Sequence, residues 1–195
     1  MCLNARYDDA LQFTAALHRE QTRKGSGIPY LSHLLATSAL VMEYGGDEDQ
    51  AIAALLHDAI EDQAEHYPGG VAALRQEIQR RYGASVLSIV EACTDADSFP
   101  KPPWRQRKEA YIDHLATAPL PVLRVSCADK LHNARCILAD YRQVGEGLWD
   151  RFHAERDQVL WYYRSLADRF GGAGAPVGLV GELVHTVREI ERLCL

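Results

Sequence analysis

Ala51-Ile-Ala-Ala-Leu-Leu-His57-Asp58-Ala-Ile-Glu61-Asp62 is the stretch whose reading decides the fold. It follows Gly45-Gly46-Asp47, where Asp47 is suited to cap a helix and Gln50, three residues on, to complete a capping-box-like pair. At about 100° per residue, Ile52, Leu55, Leu56, Ala59 and Ile60 gather on one side of that helix. His57 and Glu61 lie one turn apart on the other side, and Asp58 and Asp62 do the same in the neighbouring row. Such a face is either the solvated side of an ordinary amphipathic helix or part of a site. The adjacent His-Asp pair gives the second reading its force, because it offers one nitrogen and one oxygen ligand to a divalent metal. Two ligands do not make a site, so the rest of the chain must supply the others.

The chain has 195 residues, enough for one domain with a real core. Hydrophobic residues make up 47% and charged residues 25%, which excludes disordered and fibrous classes. A formal net charge of −6 argues against polymeric nucleic acid as a partner, though not against a nucleotide held in a local basic pocket. Cys2, Cys93, Cys127, Cys136 and Cys194 are odd in number and lack C-x-x-C spacing, which favours reduced thiols in a cytoplasm over disulfides or a zinc cluster. The N-terminal residues lack an apolar signal core, and the apolar run 51–56 is far too short to span a bilayer. The expectation is a soluble, cytoplasmic protein with no membrane partner.

Outward from the central stretch, periodicity predicts helices over 8–20 and 31–44, the second carrying His33. Between them, Thr22-Arg-Lys-Gly-Ser-Gly-Ile-Pro-Tyr30 reads as a loop. Its Arg23 and Lys24 are either solvated residues near a helix end or a grip for a phosphate or base. Further helices are expected over 71–82, with Gly83 as a stop, and over 85–93, 104–116, 122–138, 148–170 and 177–195. Lys101-Pro-Pro-Trp-Arg-Gln-Arg-Lys108 reverses the local charge and suits either stacking on a ligand or a helix start with solvated cations. In the apolar helix 122–138, Asp129 shares a face with His132 and Asn133, and an Asp there is costly to bury unless paired or metal-bound. Trp161-Tyr-Tyr163 reads as core. No convincing strand appears. The fold class is therefore all-α, a single compact multi-helix body over 1–170, followed at 171–195 by a linker and a C-terminal helix packed on the body or on another subunit, which would make the protein a homo-oligomer.

His33, His57-Asp58 and Asp129, in this order and on predicted helices, resemble the HD superfamily of metal-dependent phosphohydrolases. The fuller pattern is narrower. Arg23-Lys24 with Pro29-Tyr30-x-x-His33, then His57-Asp58-x-x-Glu61-Asp62, then Ala128-Asp129-Lys-Leu-His-Asn133, is similar to the hydrolase domain of RelA/SpoT proteins, over about residues 8–168. Ending after one domain, the chain is most like the small stand-alone alarmone hydrolases. The resemblance implies an HD-domain fold in which His33, His57, Asp58 and Asp129 are metal ligands, with Mn²⁺ the usual ion and Fe²⁺ an alternative. It implies Glu61 and Asp62 as catalytic carboxylates, and Arg23, Lys24, Tyr30, Asn133 and, on a looser alignment, Arg156 as nucleotide contacts. Gln63 departs from the family, which often has Thr after the Glu-Asp pair.

Two imidazoles and two carboxylates suit Mn²⁺ or Fe²⁺. Glu61, a turn beyond His57, is placed to move a proton. The reaction that the resemblance implies is release of pyrophosphate from the 3′ position of (p)ppGpp, as in the stringent response. The alternatives are an HD nucleotidase or an NADPH 2′-phosphatase using the same residues, and, in a different class, a non-catalytic nucleotide-binding regulator.

Overall fold

Asn4 opens the first helix, its Oδ1 accepting from the Arg6 amide at 2.7 Å. That cap starts α1 at Ala5–Leu17, earlier than apolar spacing suggests. The computed structural model describes residues 2–94 and 102–194. In it follow α2 (Leu31–Glu43), α3 (Glu48–Leu56), α4 (Ala59–Gln63), α5 (Gly70–Cys93), α6 (Trp104–Leu115), α7 (Leu120–Val144), a 3₁₀ segment (Gly145–Arg151), α8 (Arg156–Ala173) and α9 (Val177–Leu193). The fold is all-α. Among the described residues, extended pairing is confined to one antiparallel bridge between Thr22 and Pro29. No described helix is long and apolar enough to cross a membrane.

The helices form two compact units, Met1–Pro102 and Pro103–Leu195. In the first, α3 is the central element and packs against α1, α2 and α5. Gln50 through Leu56 are all buried, so beyond its first two residues α3 has no solvated side. Ala51, Ala53 and Ala54 are what let three helices close over it. Buried polar side chains knit these layers together. The Tyr7 hydroxyl hydrogen-bonds Ser38 Oγ at 2.8 Å, and Ser38 Oγ donates to the Ala51 carbonyl at 2.9 Å. Arg6 reaches Asp49 at 2.7 Å and the Tyr82 carbonyl at 2.8 Å, tying α1 to α3 and α5.

The cap predicted at Asp47 is present, with its Oδ1 accepting from the Gln50 amide at 2.9 Å. The continuous helix over 51–62 is not. α3 stops at Leu56, Asp58 adopts φ −98° and ψ 1°, and α4 restarts at Ala59. Those angles lie in the sparsely used bridge region, where functional residues are often found. The expected break at Gly83 appears as a kink within α5, where φ is 89° and ψ 170°.

In the second unit, α9 packs against α7 and α8, burying Leu179, Leu183, Val187 and Ile190. Between them α8 extends to Ala173, so the expected link shrinks to a turn at Gly174 with φ 84° and Pro176 as the next cap. The helix expected from 148 begins instead at Arg156. Glu155 and Gln158 form a reciprocal capping box there, which apolar spacing alone had hidden. The expected basic cluster is used in packing α6 on α8: the Arg105 guanidinium lies 3.2 Å from the centre of the Trp161 ring, and the Lys108 ammonium 5.0 Å from that of Tyr162. Lys101, at the head of that cluster, and most of the turn-rich stretch before it lie outside the described residues.

Candidate metal and phosphate site

The break between α3 and α4 sets the site. His57 is the last residue of helical geometry before it, and Asp58 sits in the turn. His33 comes from the first turn of α2, on its buried face, and is fully enclosed. His57 Nε2 lies 3.0 Å, and His33 Nε2 3.7 Å, from Asp58 Oδ2. The two rings meet edge to face at 5.1 Å. One ligand atom from each of the three residues falls within 4.8 Å of the others.

The donor set fits a divalent cation on local chemistry. His57 Nδ1 is 2.8 Å from the Ala54 carbonyl, an acceptor only, so that nitrogen carries the proton. In a neutral imidazole the other nitrogen, Nε2, then turns its lone pair towards the Asp58 carboxylate. Two electron-rich atoms 3.0 Å apart, the nitrogen buried and the carboxylate partly so, suit a positive charge between them. Tyr30 supports the same carboxylate, its hydroxyl donating to Asp58 Oδ2 at 2.6 Å. Its ring also meets His33 edge-on at 5.4 Å.

Sequence reasoning placed Tyr30 on the substrate; the structure shows it bonded to Asp58. It missed a second array altogether. Gln21 Nε2 donates to Asp62 Oδ2 at 2.8 Å, and Gln21 Oε1 accepts from Gln63 Nε2 at 2.7 Å and lies 2.6 Å from His18 Nδ1. His18 is buried at 2% exposure and stacks on Tyr30 at 5.8 Å. Burial, the largest influence, lowers its pKa below the usual imidazole value against the raising effects of Gln21 and Asp58. A His-x-x-Gln spacing at a helix end was the available signal, and it is a weak one.

Arg23 and Lys24 lie on the loop between α1 and α2, closed by the Thr22–Pro29 bridge and turning through Gly25 and Gly27 at positive φ. The Arg23 guanidinium stands 5.9 Å from the Tyr30 ring centre, while Lys24 is exposed. Glu61 and Asp62 both fall within α4, partly exposed.

Within the second unit, Asp129 is buried on α7 at 5% exposure. It accepts from Asn133 Nδ2 at 2.6 Å and Lys130 Nζ at 2.5 Å, satisfying the pairing its apolar helix demands. Burial works against the Lys130 charge, but Asp129, with Tyr111 and Tyr162, outweighs it and raises the ammonium pKa. Arg156 stands at the start of α8 and pairs with Asp157 at 3.1 Å and Glu146 at 3.6 Å.

The chain belongs to the HD domain family, whose model matches residues 10–161. Among its relatives, guanosine-3′,5′-bis(diphosphate) 3′-pyrophosphohydrolase MESH1 of Xenopus tropicalis is 34% identical over 130 residues, which are 65% of this chain and 66% of that one. The Drosophila melanogaster protein of the same name is 27% identical over 90% of both chains. The bifunctional (p)ppGpp synthase/hydrolase SpoT of Escherichia coli K12 is 30% identical over 79% of this chain but only 20% of its own length. Just under two thirds of the frog relative is therefore spanned. In fold, the chain matches a solved structure described as a metazoan ortholog of SpoT that hydrolyzes ppGpp, with a TM-score of 0.78 at 24% identity over 100% of this chain and 99% of that one. A second match is lmo0812 from Listeria monocytogenes EGD-e, with a TM-score of 0.67 at 22% identity over 83% of this chain and 98% of that one.

Proposed function

We propose that this protein is a metal-dependent phosphohydrolase that removes pyrophosphate from the 3′ position of guanosine 3′,5′-bis(diphosphate). The observation that carries the reading is the convergence of His33, His57 and Asp58 ligand atoms within 4.8 Å. Glu61 and Asp62 follow one turn beyond, in α4. The names borne by the relatives supply the substrate class.

In this reading His33, His57 and Asp58 hold the ion together with Asp129, which the resemblance assigns as the fourth ligand. Two nitrogens and two carboxylates favour Mn²⁺, with Fe²⁺ the alternative. When bound, such an ion supplies charge neutralisation and polarisation of a phosphoryl oxygen. Glu61 takes a proton from the attacking water. Water adds to the phosphorus on the ribose 3′ oxygen, the bond from that phosphorus to the 3′ oxygen breaks, and the oxygen leaves with a proton returned to it. The products are GDP and pyrophosphate. Asp62 orients the water. Arg23 and Lys24 on their loop, with Tyr30, Asn133 and Arg156, contact the nucleotide, and the cations among them balance its phosphate charge. The odd number of cysteines, five, without C-x-x-C spacing, supports a reducing, cytoplasmic setting. Self-association belongs to the same proposal.

The test is an assay of purified, Mn²⁺-loaded protein against ppGpp, NADPH and deoxynucleoside monophosphates. Pyrophosphate from ppGpp is the expected result. Turnover of only the other substrates, or of none, contradicts it.

A further inference from the structure

Gln21 is not assigned a role by the reading above, yet its amide is engaged at both its nitrogen and its oxygen. Its Nε2 faces Asp62 Oδ2 at 2.8 Å and its Oε1 faces Gln63 Nε2 at 2.7 Å. Turning the amide over would set its carbonyl oxygen against a carboxylate and its NH₂ against another NH₂. A carboxylate only accepts, so this orientation is the one that satisfies the group. The carbonyl oxygen then takes its second hydrogen bond from His18 Nδ1 at 2.6 Å, which fixes the proton of a neutral His18 on Nδ1. His18 Nε2 is buried with no hydrogen-bond partner among the described residues, so none of them competes for that proton.

We propose that Gln21 is a positioning residue for the hydrolysis: locked by Gln63 and His18, its amide holds the Asp62 carboxylate in one orientation beside the His33, His57 and Asp58 cluster. The lock spans three elements. His18 caps α1, Gln21 lies on the following loop, and Asp62 and Gln63 belong to α4. α4 is only five residues long and has no side-chain cap of its own, so it needs an outside anchor to hold a carboxylate still. Gln63, which stands where Thr is often found in the family, becomes part of that anchor through its reach to Gln21.

The inference rests on Asp62 acting as proposed, and its test separates the two. In the full-length, Mn²⁺-loaded protein, Gln21→Met keeps side-chain length and removes all three bonds. It is expected to lower kcat on ppGpp by roughly 10-fold or more, with KM within about twofold and metal content unchanged. In an Asp62→Ala background the same substitution changes kcat by less than about twofold, because the two residues act as a unit. Gln63→Met, which loosens Gln21 without touching Asp62, gives a smaller fall in the same direction. An unchanged kcat in Gln21→Met, or an equal fall in the Asp62→Ala background, overturns the proposal. If the intact protein releases no pyrophosphate, the substrate reading fails, and crystal structures of the intact protein and Gln21→Met decide the positioning question alone. An Asp62 side chain that leaves its rotamer supports the anchor, and one that stays refutes it.

Discussion

At the scale of single residues, the site is built from side chains that constrain one another. The Ala54 carbonyl fixes the His57 tautomer, and Tyr30 fixes Asp58. Groups that hold ligands in place are worth nearly as much as the ligands themselves. Tyr30→Phe removes only the hydroxyl and is expected to weaken Mn²⁺ binding by about 10- to 100-fold, measurable by calorimetric titration. An unchanged affinity would assign Tyr30 to the nucleotide alone. Asp58→Ala is expected to abolish tight metal uptake, read by elemental analysis, while leaving helical content intact by circular dichroism. The grouping of His33, His57 and Asp58 was legible because the family spacing marks them. The supporting atoms were not legible, since a tyrosine hydroxyl or a glutamine amide finds its partner only once the chain has folded.

At the scale of helices, apolar periodicity located most elements and caps decided their ends. Asn4 and Glu155 shift two starts, and the bridge-region backbone of Asp58 splits what reads as one helix. The buried run of α3 also explains why His57, on the side away from its apolar row, is enclosed: from Gln50 on, three other helices cover every face. The kink in α5 depends on Gly83, whose φ of 89° and ψ of 170° suit only glycine. Gly83→Ala is expected to destabilise the protein by about 1–3 kcal/mol through backbone strain. Beyond its own stretch of helix, a Cβ there would meet no described residue within 4 Å, so a loss seen in urea denaturation would point to backbone strain rather than a tertiary clash. A neutral effect would mean the kink can straighten. One turn before it, hydrogen bonds from Arg80 and then Arg81 hold the Glu77 carboxyl down to about 2 from an ordinary 4.5. Stability from this cluster is present above pH 4.5 and is lost as pH falls towards 2. Glu77→Gln should therefore flatten that part of a plot of urea midpoint against pH, and an unaltered slope would show that solvent screens the cluster.

At the scale of the whole molecule, the all-helical class followed from the lack of any alternating pattern, and the family from motifs scattered over more than a hundred residues. The division into units at Pro102–Pro103 is not marked by apolar spacing, because both sides are equally helical. Nor did spacing decide what the last helix covers, and the answer is α7 and α8. Leu183→Ala in α9 is expected to cost about 2–5 kcal/mol in denaturation, as for other fully buried leucines. A small loss would mean that α9 is docked loosely enough to serve another copy of the chain. The proposed hydrolysis depends on His33, His57 and Asp58 holding a metal ion. The most direct measurement returns Mn²⁺ stepwise to chelator-stripped protein while following pyrophosphate released from ppGpp. The account predicts no release without metal, a rise to a plateau at one ion per chain, and no rise for His57→Ala. Full release from the stripped protein, or an undiminished rise in His57→Ala, would contradict it.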